Sequence, residues 1–127
     1  MMKQTLALLW LAMLLGVLAH SILGFVPMLY GSEPLKQSEN LQGLLWQLTL
    51  VFSTYLTLAL ALLLVEANWF KRLNMIASGF FLFSNALHAG VHLFLSPVEW
   101  HQVLLLTLVA GINAVLVKES FTYLKSK

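Results

Sequence analysis

Four long apolar segments, separated by short polar breaks, restrict the folds open to this chain more than any other feature of its sequence. The segments span about residues 5–30, 43–65, 73–95 and 97–117. A helix rises about 1.5 Å per residue, so each segment is long enough to cross a hydrocarbon core of about 30 Å. Because 60% of the residues are hydrophobic and only 9% are charged, lipid is the expected solvent. We predict an all-α membrane protein with a single domain over residues 1–127.

The breaks between these segments predict how the helices are connected. Gly31-Ser32-Glu33-Pro34 ends the first segment, and a second short break runs from Glu66 to Arg72. Short connections return the next helix alongside the previous one, which predicts an antiparallel four-helix transmembrane bundle. Lys3 before an apolar core and the small residue Ala19 also fit a signal peptide, but the apolar run continues beyond Ala19. We therefore expect an uncleaved first span.

The basic residues predict the orientation of the bundle. In a four-span topology Lys36 lies on one side of the membrane, and the other side carries Lys3, Lys71, Arg72, Lys118, Lys125 and Lys127. The positive-inside rule then puts both termini in the cytoplasm. The short loops and this bias make a bacterial inner membrane the expected location. Seven Lys and Arg residues do not form the basic face that nucleic acid requires.

Two further local patterns carry predictions about the helices. Ser96-Pro97-Val98-Glu99 has the form of a capping box, with Ser96 as N-cap and the Glu99 side chain reaching back to it. The fourth helix is therefore predicted to begin at Pro97. In the second segment Thr49, Ser53 and Thr57 recur every four residues, on one face of the helix. That stripe of hydroxyls is predicted to face the interior of the bundle.

The four histidines are the candidate functional residues, because ionisable groups in apolar spans require a reason. His88 and His92 are one turn apart on one face of the third helix, a spacing that suits a shared transition metal. His101 follows the tight turn at a similar predicted height and is a candidate third ligand. The pattern predicts a zinc or other transition-metal site at His88, His92 and His101. Histidines that are only hydrated or hydrogen-bonded are the alternative.

A second hypothesis concerns His20, which has the same predicted depth as His88. Gly16 and Gly24 flank His20 at four-residue spacing, leaving room for a flat ligand or for a neighbouring helix. Haem b held between His20 and His88 would use both features, with Asn85 orienting an imidazole or contacting the ligand edge. The alternative is an ordinary helix-packing seam along Gly16 and Gly24, with His20 hydrogen-bonded across it.

Composition limits the function classes further. The chain has no cysteine and no aspartate, which excludes thiolate chemistry and a Ser-His-Asp triad. All five acidic residues lie at helix ends, in loops or in the tail, which argues against a proton-coupled pump. We favour a non-enzymatic membrane subunit, interaction or assembly factor, with the bilayer and either another membrane protein or further copies of this chain as partners. The alternatives are a haem- or metal-binding membrane protein and an oligomeric small-solute carrier or channel.

Overall fold

The protein is all-helical, as predicted. The structure, a computed structural model, describes residues 1–29, 38–94 and 98–126. Within these ranges the helices are α1 (Met2–Leu29), α2 (Ser38–Leu64), α3 (Asn68–Leu93) and α4 (Trp100–Lys125). Each is long and apolar enough to span a membrane, which suggests an integral membrane protein. The predicted break at Gly31-Ser32-Glu33-Pro34 lies outside the described residues.

The helices pack in an order that differs from their order in the chain. α1 packs against both α2 and α4, and α3 packs against α4. The buried side of α4 repeats at alternating intervals of four and three residues: Gln102, Leu106, Val109, Asn113, Leu116, Ser120 and Tyr123. This heptad spacing keeps one continuous seam facing the neighbouring helices, as in left-handed helix pairs.

The apolar core occupies one half of the bundle. It centres on Trp10 of α1, whose ring lies 5.5 Å from that of Tyr55 and 5.8 Å from that of Phe81. Leu6, Met13, Leu62 and Leu116 are also fully buried there. Aromatic rings in such tilted and edge-to-face arrangements add stability beyond the area they bury.

Two polar contacts join the chain segments at the end of the bundle near this core. The Lys3 ammonium lies 2.8 Å from the Glu66 carboxylate, which links the start of α1 to the connection between α2 and α3. The Lys71 ammonium donates to the carbonyl of Ser126 at 2.7 Å and lies 5.0 Å from the Tyr123 ring centre. The start of α3 therefore meets the end of α4.

A row of buried polar residues, here called the polar seam, connects α3 with α4. It consists of Asn74, Ser78 and Asn85 on α3 and Asn113 and Ser120 on α4. Asn74 Nδ2 donates to Ser120 Oγ at 2.8 Å, and Asn113 Nδ2 donates to the Ser78 carbonyl at 3.1 Å. Among the described residues, every fully buried side-chain polar atom has a hydrogen-bond partner. The seam therefore fixes the register of the two helices and leaves none of its fully buried polar atoms unpaired.

The predicted start of the fourth helix is wrong. α4 begins at Trp100, and Val98 and Glu99 are not helical. Glu99 occupies the N-cap position without a side-chain capping bond, because its carboxylate engages His92 Nδ1 at 3.1 Å. Ser96 and Pro97 lie outside the described residues. The helix also continues beyond the predicted end at Val117, to Lys125.

The prediction that the hydroxyl stripe of α2 faces the interior is also wrong. Thr49, Ser53 and Thr57 are all exposed. Thr49 Oγ1 donates to the Leu45 carbonyl one turn earlier, at 2.8 Å. A hydroxyl that is hydrogen-bonded to its own helix needs no partner across the bundle, so this stripe does not determine which face is buried.

Candidate metal centre

Three histidines from two helices converge near the end of the bundle opposite the apolar core. The cluster consists of His20 on α1 and of His88 and His92 on α3, and each can offer one ring nitrogen within 4.8 Å of the others. The ring of His20 lies 4.9 Å from that of His88 and 5.3 Å from that of His92, edge to face in both cases. These three residues are hereafter called the histidine cluster.

The separation of two ring nitrogens in the cluster agrees with ligation of one ion. His88 Nε2 lies 3.3 Å from His92 Nε2. Two nitrogens about 2.0–2.1 Å from a tetrahedral zinc ion are about 3.3–3.4 Å apart, whereas ligands at right angles on a square-planar or octahedral ion are about 2.8–3.0 Å apart. The pair therefore has tetrahedral spacing. A hydrogen bond between neutral imidazoles has a similar length, so the two explanations require an experiment.

The outer nitrogens of two cluster members are held by polar groups of the α4 region. His92 Nδ1 contacts the Glu99 carboxylate, and His20 Nδ1 contacts the side-chain oxygen of Gln102. An acceptor at Nδ1 holds the proton there and leaves the Nε2 lone pair free for a metal. Carboxylate or carbonyl partners of this kind are typical of metal-ligating histidines, where they fix the tautomer and the ring orientation.

The helices explain how these groups meet. His88 and His92 lie one turn apart, so both rings project from the same side of α3. Gln102 is the first residue of the buried heptad face of α4 and is only 1% exposed. Its amide lies beside Gly24, where an added Cβ would be 3.8 Å from Gln102 Nε2. A Cβ at position 24 would therefore make ordinary van der Waals contact with the Gln102 amide.

The structure brings together part of each predicted ligand set. His88 and His92 are adjacent as the spacing predicts, and His20 joins them. His101 is exposed on the first turn of α4 and does not belong to the cluster. Gly16 lies against Val109 of α4 instead of lining the site, which agrees with the packing alternative for that position.

The arrangement does not support the haem hypothesis. Two axial histidines lie on opposite faces of a porphyrin, which then separates their rings. Here the rings of His20 and His88 are in edge-to-face contact, with 4.9 Å between their centres. Asn85 contacts no histidine in the structure; its Nδ2 donates to Asn113 and to Tyr55. Three touching imidazoles fit a single ion directly, whereas a macrocycle would require them to separate.

Sequence reasoning does not identify Gln102, which supports the cluster from α4. It offers Glu99 as a capping residue and as a carboxylate that a metal could bind, but not as the partner of His92 Nδ1. The heptad spacing of Gln102 with the buried residues that follow could have identified it as an inward-facing polar group. Glu99 is seven residues from His92 and lies outside both helices, so no helical periodicity predicts their contact.

A cavity of about 320 Å³ lies beside the cluster, lined mainly by α1, α2 and α3 with Leu106 of α4. His20 and His88 form part of its wall, together with the polar side chains of Gln47, Tyr55 and Asn85. Much of the remaining wall is apolar and comes from Val17, Phe25, Leu44, Leu48, Val51, Phe81 and Leu106. Its volume lies within the range of about 300–1,000 Å³ found for small-molecule sites.

The fold and the cluster together define a helical membrane protein of four candidate spans with a candidate metal centre. Comparison with known protein families, curated proteins and solved structures gives no match to this chain. The argument for function therefore depends on the geometry of the site.

Proposed function

We propose that this protein is a metal-binding membrane protein whose ion is held by His20, His88 and His92. The observation that carries the proposal is the convergence of three imidazole nitrogens, two of them 3.3 Å apart, with two of the rings held from behind by Glu99 and Gln102. An all-imidazole set with tetrahedral spacing favours Zn²⁺, with Co²⁺ and Cu²⁺ as ions that imidazole also accommodates.

Three protein ligands leave one coordination position of a tetrahedral ion open. Structural zinc sites are normally closed by four protein ligands, whereas sites with three keep a position for water or another molecule. The His20 and His88 rings also line the cavity, so the open position has space beside it. This argues for a site that binds an additional ligand, in preference to one that only stabilises the fold.

The test is metal binding by the purified protein in mild detergent. We expect close to one equivalent of Zn²⁺ after dialysis, and a tetrahedral visible spectrum with Co²⁺. His20→Ala, His88→Ala and His92→Ala should each abolish stoichiometric binding, while His101→Ala, the matched control at an exposed histidine, should retain it. Equal losses in His101→Ala and in the cluster variants would show that binding is nonspecific and would refute the proposal.

A second variant tests the support from behind the cluster. Glu99→Gln retains the size of the side chain but removes its charge. Loss of such an outer partner typically weakens metal affinity about 10–100-fold. Stoichiometric binding with reduced affinity is therefore expected. Unchanged affinity in Glu99→Gln would mean that the contact with His92 has no role in binding.

The orientation of the bundle is part of the proposal. Lys71 meets Ser126 at one end of the α3–α4 pair and His92 meets Glu99 at the other, which supports an antiparallel arrangement. The Lys3–Glu66 pair supports a shared side for the N-terminus and the α2–α3 connection. With the positive-inside rule, the termini are assigned to the cytoplasm, of a bacterial inner membrane, and the histidine cluster to the opposite half. The roles of subunit, assembly factor and oligomeric carrier stay predictions.

A further inference from the structure

The wall of the cavity beside the histidine cluster carries hydrogen-bonding groups that no described residue satisfies. These groups indicate which kind of ligand the cavity binds. The starting point is the orientation of the amides in the polar seam. The Ser78 carbonyl can only accept, so Asn113 must present its Nδ2 to it, at 3.1 Å. Asn113 Oδ1 then accepts from Asn85 Nδ2 at 2.8 Å. The Ser78 carbonyl therefore fixes the orientation of the Asn113 amide, which in turn fixes that of the Asn85 amide.

This chain of hydrogen bonds ends at Tyr55. Asn85 Nδ2 points its second hydrogen at the Tyr55 hydroxyl oxygen, 3.4 Å away. The Tyr55 oxygen is thus an acceptor, and its own proton has no acceptor among the described residues. Asn85 Oδ1 likewise has no donor among them. Both residues line the cavity, and Tyr55 is only 1% exposed. The hydroxyl proton of a buried tyrosine and an accessible amide oxygen therefore remain available to a molecule in the cavity.

A single hydroxyl group matches this pair. Because Asn85 Nδ2 is 3.4 Å from the Tyr55 oxygen, Asn85 Oδ1 is less than about 6 Å from it, and one hydroxyl oxygen can bridge that gap with two hydrogen bonds of about 2.8 Å. The hydroxyl would donate to Asn85 and accept from Tyr55. A carbonyl or an ether could accept from Tyr55 but would leave Asn85 Oδ1 unpaired.

The rest of the wall indicates what carries the hydroxyl. Phe25, Phe81 and Tyr55 contribute three aromatic rings to the wall, and five further side chains are aliphatic. The Tyr55 and Phe81 rings already interact edge to face with 4.5 Å between their centres, an arrangement that a further aromatic ring can extend. We propose that the cavity binds a membrane-soluble phenol, with its hydroxyl between Asn85 and Tyr55 and its ring against Phe81.

We expect a phenol dissolved in the bilayer to enter between α2 and α3, which make few close contacts among the described residues. α2 and α3 are consecutive in the chain, yet it is α1 and α4 that provide their close helix neighbours. The described parts of α2 and α3 meet through contacts such as Tyr55 with Phe81 and Tyr55 with Asn85, which form part of the cavity wall. This site goes beyond the proposed metal function, because neither of its two hydrogen-bonding groups belongs to the histidine cluster.

The experiment is competitive photolabelling of the full chain in lipid nanodiscs, with a chelator present so that metal binding does not affect the result. The probe is a phenol with a diazirine on a short para-alkyl chain, and the competitors are 4-butylphenol and its methyl ether, 4-butylanisole. We expect saturable labelling of peptides from the cavity walls of α1, α2 and α3. Butylphenol should compete at least about fivefold better than the ether, because the ether leaves Asn85 Oδ1 unpaired.

Variants test the assigned groups. Tyr55→Phe keeps the ring and removes the donor, so butylphenol should compete several-fold less well. Tyr123→Phe, a matched change at a buried tyrosine outside the cavity, should leave competition unchanged. Equal competition by phenol and ether in the unmodified protein would overturn the proposal. Labelling that is not saturable would also overturn it, because that is the result expected of a cavity filled only by water. Because the comparison of phenol with ether needs no variant, the test does not depend on the folding of Tyr55→Phe.

Discussion

Gly16 of α1 packs closely against Val109 of α4. Replacement of Gly16 tests this packing. A Cβ added at Gly16 would be 2.5 Å from Val109 Cγ2. Val109 is 1% exposed, and its β-branched side chain has little rotamer freedom in a helix. The methyl group cannot swing aside, so Gly16→Ala requires the helices to separate locally by about 1 Å to reach ordinary contact of about 3.5 Å.

Two opposing contributions determine the size of the effect. Alanine favours a helix by about 1 kcal/mol relative to glycine. Overpacking of a tightly packed contact destabilises by about 1–3 kcal/mol. We expect the packing contribution to exceed the helix preference and lower the free energy of unfolding of Gly16→Ala by about 1 kcal/mol.

The assay is unfolding in mixed micelles by titration with a denaturing detergent, followed by tryptophan fluorescence and helical circular dichroism. Gly79→Ala and Gly111→Ala are the controls, because an added Cβ meets no atom within 4 Å at either position. Both should be as stable as the unmodified protein or more stable by up to about 1 kcal/mol. Adding Val109→Ala to Gly16→Ala removes the opposing methyl groups and should give a favourable coupling in a double-mutant cycle.

One result would refute the reasoning directly. If Gly16→Ala gains as much stability as Gly79→Ala and Gly111→Ala, the helices do not approach as closely at Gly16 as described. A lack of coupling between Gly16→Ala and Val109→Ala would lead to the same conclusion.

The remaining predictions concern the polar contacts. Asn74→Ala should lower the free energy of unfolding by at least about 2 kcal/mol in the same titration, because it leaves Trp10 Nε1 and Ser120 Oγ without their partner. An effect below about 0.5 kcal/mol would contradict these buried hydrogen bonds. The hydrogen bond from Lys3 and its charge lower the pKa of the exposed Glu66 carboxyl below its ordinary value of 4.5, so its stabilising contribution is present above that pH and is lost as the pH falls through the folded-state pKa. The small stability difference between the unmodified protein and Glu66→Gln should therefore vanish on acidification, and a difference that persists in strong acid would exclude the ion pair as its cause.

The number of helices could be predicted from the sequence, but not the rotation of each helix about its axis. Length and apolar content are sufficient to identify four spans. α1 and α4, however, are apolar on nearly every side, so hydropathy does not mark which face is buried. The few polar groups were an unreliable guide: Thr49 and its neighbours in the stripe face outward because they bond within their own helix. In contrast, Asn74 and Asn113 are fully buried because their partners lie on another helix.

The part of the candidate site that depends on spacing within one helix could be predicted from the sequence. The spacing of His88 and His92 fixes their common face, and the estimated depth of His20 brought it near His88. The choice between His20 and His101 as the third member of the cluster depends on the packing of α1 against α3 and α4, a long-range property. Gln102 was missed for the same reason, because its partner His20 is 82 residues away in the chain.

The distribution of the cluster over the chain has a consequence for biogenesis. α1 packs with α2, α3 packs with α4, and these two helix pairs meet along α1 and α4. The first pair, made earlier during synthesis, carries His20, and the second carries His88, His92 and Gln102. A metal ion coordinated by all three histidines would join the two pairs only after both have inserted. At a free concentration a thousandfold above its dissociation constant, the ion would stabilise their association by about 4 kcal/mol. Association of the two pairs would then depend on the supply of metal, and chelation would favour separation of the two helix pairs before either one unfolds.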